Sequence, residues 1–186
     1  MKKIILSLIA LLIFGFTNAQ TKFGIKGGLN VSNYRGDVGN NSSKIGFHIG
    51  GIAEIKLSEK FALQPELLFS TQGAEFNLFE MVQFKQNLSY INIPVMVKYY
   101  PVDKFSLEFG PQIGILVSAI SIMDDGYKTN IKDSFKPLDF AVDFGTGYDF
   151  TKNISAGIRY NLGLSQNFES SKTSNSVFMA SLDYKF

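Results

Sequence analysis

Residues 89–118, SYINIPVMVKYYPVDKFSLEFGPQIGILVS, alternate apolar and polar side chains with a period of two over nearly their whole length. Ile91, Ile93, Val95, Val97 and Tyr99 share one parity, while Tyr90, Asn92, Pro94, Met96 and Lys98 take the other. After the short turn Val102-Asp103-Lys104, one face carries Phe105, Leu107, Phe109, Ile113, Ile115 and Val117. The opposite face carries Ser106, Glu108, Gly110, Gln112, Gly114 and Ser118. Successive side chains of a strand point to opposite faces, so the pattern predicts a β-hairpin. Each arm is longer than the usual strand of about five or six residues. That length suits a strand crossing a bilayer at a tilt.

The same plan recurs along the chain. Six further alternating segments, residues 22–33, 44–57, 61–73, 138–150, 154–166 and 176–186, bring the expected strands to eight. Three connections are tight: residues 57–61, 101–105 and 150–154. Four are long and polar: residues 34–43, 74–87, 120–137 and 167–175. An up-and-down barrel with short turns on one rim and long loops on the other produces this rhythm. An even strand number lets the first and last strands meet antiparallel, so no edge is left unpaired. Pro94 and Pro111 cannot donate to a ladder and are expected to mark local bulges or bends.

Residues 1–19 read as a secretory signal peptide, with Lys2 and Lys3 before an apolar run and a small-residue cleavage site ahead of Gln20. Residues 20–186 then form one domain. Removing the leader takes away two lysines and no acids, so the formal charge of +2 becomes 2 − 2 = 0. A neutral chain without a basic run is a poor nucleic-acid ligand. Cysteine is absent, which excludes disulfides, thiol chemistry and cysteine metal sites.

Alternation alone does not say which face meets water. The polar face is rich in glycine (Gly24, Gly28, Gly46, Gly50, Gly110, Gly114, Gly145, Gly147, Gly157, Gly163), whereas a solvated exterior carries many Lys and Glu. Small residues fit the crowded interior of a narrow barrel. The apolar side is therefore expected to face lipid. Tyr99, Phe105, Tyr148, Phe150, Tyr184 and Phe186, near the short-turn ends, read as an interfacial girdle. The inward charges, Glu54, Glu66, Lys98, Glu108, Asp143 and Arg159, form the candidate lumen network. Counting around the tight turns pairs Lys98 with Glu108 and Arg159 with Asp143, as buried charges require.

Several motifs carry a resemblance. They are Leu63-Gln-Pro-Glu-Leu67, Tyr90-Ile-Asn-Ile-Pro94-Val, Lys98-Tyr-Tyr-Pro101, Gly110-Pro111 with Gly114 and Ser118-Ala119, Gly157-Ile-Arg159-Tyr-Asn161-Leu-Gly163-Leu and the terminal Tyr184-Lys-Phe186. Together they resemble small outer-membrane β-barrel proteins of the porin-family or PorT-like group, across essentially the whole mature chain. The resemblance implies an all-β, eight-stranded antiparallel up-and-down transmembrane barrel with periplasmic termini. It also implies recognition of the strand ending at Phe186 by the barrel-insertion machinery, and a partner in a secretion system or the envelope.

The chemistry-bearing residues are sparse. His48, the single histidine, lies on the polar face, and Ser70 is the nearest candidate nucleophile, but no nucleophile motif surrounds either. Asp124-Asp125-Gly126 and Asp133 lack the oxygen spacing of a calcium loop, so a solvated loop is expected. No cofactor or metal is expected. The reading is a monomeric, non-enzymatic outer-membrane scaffold whose lumen is plugged by polar side chains. An accessory of a secretion apparatus, a narrow channel and, last, a lipid-modifying enzyme are the alternatives.

Overall fold

The computed structural model describes residues 21–37, 39, 41–78, 82–167 and 172–186. The expected leader, residues 1–19, lies outside them. The strands are β1 (Thr21–Gly36), β2 (Asn41–Lys56), β3 (Phe61–Leu78), β4 (Val82–Val102), β5 (Phe105–Met123), β6 (Lys128–Asn130), β7 (Leu138–Asp149), β8 (Ile154–Gly163) and β9 (Thr173–Lys185). Eight of them close an antiparallel barrel in the order β4-β3-β2-β1-β9-β8-β7-β5, sealed by β4 against β5. β6 is a three-residue addition to the side of β5, inside a segment expected to be loop.

The stagger of the barrel follows from its register. Stepping through paired residues from Thr21 to Ile55, Leu63, Val97, Phe109, Phe144, Tyr160 and Phe178 returns to β1 at Val31, ten residues along. At about 3.3 Å per residue and about 4.8 Å between strands, that is about 33 Å of stagger over about 38 Å of sheet, a tilt of about 41°. Strands this tilted and coiled crowd their inner face. A Cβ on Gly110 would lie 2.0 Å from the Val95 carbonyl oxygen, and one on Gly50 would lie 1.9 Å from that of Leu67. The inward glycines therefore let the wall close.

The apolar parity faces outward. Phe23, Ile25, Leu29, Ile49, Leu67, Ile93, Phe109, Ile113, Phe144, Ile158, Phe178 and Leu182 are all exposed. Asn30, His48, Gln64, Glu66, Lys98, Asp143, Arg159 and Asn161 are buried inside. An exposed apolar belt around a polar interior is the inverse of a water-soluble barrel, and a bilayer is the solvent that makes it stable.

Two expectations are corrected. Pro94 and Pro111 cause no bulge: Pro94 pairs with Gln112 and Pro111 with Val142 in the registers that hold on either side of them. The register shifts of the β4–β5 ladder lie instead between Ser89 and Tyr90 and between Tyr99 and Val102. Residues 74–87, expected to be a polar loop, are mostly a continuation of the β3–β4 hairpin. The pattern inverts there. Past the Thr71–Ser89 pair, Ala74 and Leu88 are buried on the inner side, while Glu75 and Lys85 face outward and pair at 3.1 Å. Beyond the lipid, water wets the outside, so apolar residues turn in.

Candidate functional site in the barrel lumen

The short-turn half of the lumen is filled by a continuous chain of opposite charges. Asp149 meets Lys185 at 3.3 Å, and Lys185 meets Glu54 at 2.6 Å. Lys98 bridges Glu54 at 3.4 Å and Glu108 at 3.1 Å. Arg159 donates from Nη1 and Nη2 to the two carboxylate oxygens of Glu66 at 2.9 and 2.8 Å, and reaches Glu108 at 3.1 Å. Lys26 closes the series, 2.9 Å from Glu66 and 3.5 Å from Asp183.

Each of the eight barrel strands contributes at least one member. The chain therefore ties the wall together across its interior as well as around its circumference. Gln64 supports it by donating to Glu66 at 2.7 Å and accepting from Lys98 at 3.3 Å. The cavity between Lys26, Lys98, Glu108, Arg159 and Asp183 is about 10 Å³, at the lower limit for one water.

Five of the six expected lumen charges join this chain: Glu54, Glu66, Lys98, Glu108 and Arg159. Lys98 and Glu108 sit opposite one another in the β4–β5 register. Asp143 does not join, and the expected Arg159–Asp143 pair does not form. Asp143 lies opposite Asn161, whose Nδ2 donates to it at 2.6 Å, whereas Arg159 lies opposite Gly145. A glycine partner leaves Arg159 room to extend across the lumen to Glu66 on the far wall. Lys26, Asp149, Asp183 and Lys185 were missing from the expected network. Their inward parity was readable, but Lys26 faces Asp183 across the β1–β9 seam, which no turn connects, and the other partners lie on non-adjacent strands, so counting around turns reaches none of them.

Higher in the lumen, His48 Nδ1 contacts Asn30 Oδ1 at 2.7 Å, and Asn30 Nδ2 donates to Ser70 Oγ at 3.0 Å. Asn30 thus stands between the histidine and the serine, and no nucleophile–base contact is made. Leu68, Val177 and Met179 pack together nearby. At the long-loop rim the inward side chains become apolar: Tyr34, Ala74, Leu88, Tyr90, Leu116 and Ala119 form a buried cluster with Phe135, which comes from the β6–β7 connection. Asp125 accepts a hydrogen bond from the Tyr127 N–H at 2.9 Å in the exposed turn after β5. Among the described residues no group of three acidic, histidine or cysteine side chains could hold a metal ion.

Among solved structures, the chain is similar to Neisserial surface protein A, with a TM-score of 0.59 and 13% identity over 90% of this chain and 99% of that one. It is also similar to Ail, the attachment invasion locus protein of Yersinia pestis, with a TM-score of 0.54 and 12% identity over 90% and 99%. At such identities the likeness is one of fold. No curated protein matches the sequence. Residues 18–169 match the model of the outer membrane protein beta-barrel domain. With its outward apolar belt, polar interior and eight closed strands, the chain belongs to that outer-membrane β-barrel family.

Proposed function

We propose that the chain is a non-enzymatic integral scaffold of the outer membrane, closed to ion flow and presenting its long loops to the exterior. The observation that carries this reading is the charge chain from Asp149 to Asp183. It involves all eight barrel strands and leaves about 10 Å³ between Lys26, Lys98, Glu108, Arg159 and Asp183, inward of the wider mouth of about 430 Å³ that Glu54, Asp149 and Lys185 line at the short-turn rim. An eight-stranded wall is just wide enough for its own side chains, and here those side chains neutralise one another across the interior.

Both ends of the barrel chain lie at the short-turn rim, where Lys22 Nζ donates to the Lys152 carbonyl at 3.1 Å and the Phe186 N–H to the Phe23 carbonyl at 2.8 Å. In this reading that rim is periplasmic, as short turns are in such barrels. Phe186 ends the strand offered to the insertion machinery. The long loops are the surface left for an envelope or secretion-system partner.

The test is conductance of the purified barrel in planar bilayers. No steady current is expected from the unmodified protein. A stable, ohmic single-channel current would overturn the closed-lumen reading.

A further inference from the structure

The apolar cluster at the loop-side mouth differs from the charge chain below it. Ala74, Leu88, Leu116 and Ala119, with the rings of Tyr34 and Tyr90, form a cup at the loop-side end of the lumen, and Phe135 fills it. The segment carrying Phe135 is tied at both ends to the same strand. Ile131 N–H donates to the Ala119 carbonyl at 3.0 Å, and Leu116 N–H donates to the Pro137 carbonyl at 2.9 Å.

Between those ties runs a single 3₁₀ turn, Lys132–Ser134, with no side-chain N-cap. Phe135 is the one buried residue from Lys132 to Leu138. Lys136 N–H also donates to the Asn167 carbonyl at 2.9 Å. The segment is therefore a strap, anchored at two points on β5 and held over the mouth by the burial of Phe135, with Ile131 packed beside it.

The polar groups bordering the cup are already engaged. Tyr34 Oη contacts Gln86 Oε1 at 3.0 Å, and Tyr90 Oη accepts from Asn175 Nδ2 at 3.3 Å. Asn175 in turn bonds Asp139 and Asn167. A guest needs no polar group there, only one ring's worth of apolar surface. We propose that the cup is a binding site for a small aromatic molecule arriving from the loop side, and that Phe135 is an internal occupant which the guest displaces.

The strap then acts as a competitor. The site is available only in the fraction of molecules whose strap has lifted, and apparent affinity falls by that fraction. Removing the Phe135 ring removes the competition. From the burial of one phenyl ring, Phe135→Ala should tighten binding by about ten- to a hundredfold.

The experiment titrates p-cresol into the whole barrel in lipid nanodiscs. It follows the methyl NMR signals of Leu88 and Leu116 together with the ring signals of Phe135. The expected result is saturable movement of both methyls in the unmodified protein, with Phe135 passing to a solvent-like environment, and tighter binding by Phe135→Ala. Filling the cup with Ala119→Phe, or with Ala74→Leu should that variant fail to fold, is expected to abolish binding.

Three results overturn the inference. In one, the methyls of the unmodified protein do not move. In another, only Phe135→Ala binds, which makes Phe135 a permanent stopper over an engineered cavity. In the third, binding survives the filled cup, which assigns the signal to partition into lipid. Conductance is recorded in parallel, since the charge chain below should keep Phe135→Ala closed whether or not it binds.

Discussion

Arg159→Met removes the one guanidinium in the charge chain and is expected to be the most damaging single change there. Arg159 is 4% exposed and makes three charge-assisted hydrogen bonds, two to Glu66 and one to Glu108. Each such bond contributes about 1.5–3 kcal/mol. The buried guanidinium no longer has to be desolvated in the variant, which offsets part of that loss. Glu66 keeps Lys26, and Glu108 keeps Lys98. The net loss should fall at about 3–5 kcal/mol, the range for a buried pair broken on one side.

The chain then holds five acids against three bases, so Glu66→Gln added to Arg159→Met should recover about 1–2 kcal/mol. Arg159→Lys retains the charge but not the fork, and should lose about 1–2 kcal/mol. The sequence has no tryptophan, so urea unfolding in lipid vesicles is followed by far-UV circular dichroism. A loss below about 1 kcal/mol for Arg159→Met, or losses that add within about 0.5 kcal/mol in the double variant, would refute the idea of a coupled interior network.

Three further outcomes are expected. Ile93→Arg, mid-strand on the exposed apolar face, should destabilise by about 2–4 kcal/mol in lipid, while Gln112→Leu, pointing inward, should fold normally; an Ile93→Arg variant as stable as the unmodified protein in vesicle unfolding would contradict the assignment of the faces. Asp143→Asn should change stability by about 1 kcal/mol or less, well under the Arg159→Met loss, because Asp143 has no ion pair among the described residues and Asn161 still has an oxygen to donate to; a loss comparable to Arg159→Met in the same unfolding assay would place Asp143 inside the network. Mass spectrometry of the protein from the outer-membrane fraction should give an N-terminus at Gln20, and a chain retaining residues 1–19 would contradict the leader reading.

The strands, their faces and the closed eight-stranded plan were legible because one rule, period two with lipid outside, holds across the whole membrane-spanning wall. The Lys98–Glu108 contact was legible for a related reason. A tight turn fixes the register of its own hairpin, so counting from Val102–Lys104 reaches the partner. Arg159 was misassigned because its carboxylates sit on β3 and β5, and nothing local to the β7–β8 hairpin reports what lies across the lumen. Lys185 with Glu54, and Lys26 with Glu66, are hidden in the same way, as contacts between non-adjacent strands. The upper β3–β4 hairpin was missed because its alternation changes sense at Thr71 and Ser89. Phe76 and Leu88 turn inward where Leu67 and Ile91 turn outward, so a single apolar parity cannot be followed through the segment.

That change of sense also gives the most direct test of the lipid-facing barrel: nitroxide labels placed singly at each residue from Lys85 to Tyr99 along β4, with accessibility to oxygen and to a water-soluble nickel chelate measured in vesicles. Labels at 91, 93, 95, 97 and 99 should report lipid, whereas those at 85, 87 and 89 should report water. Labels at 92, 94, 96 and 98 should be shielded from both. Lipid contact on the even residues from 92 to 98, or an apolar signal continuing unbroken through Ser89 to Lys85, would contradict the inside-out barrel.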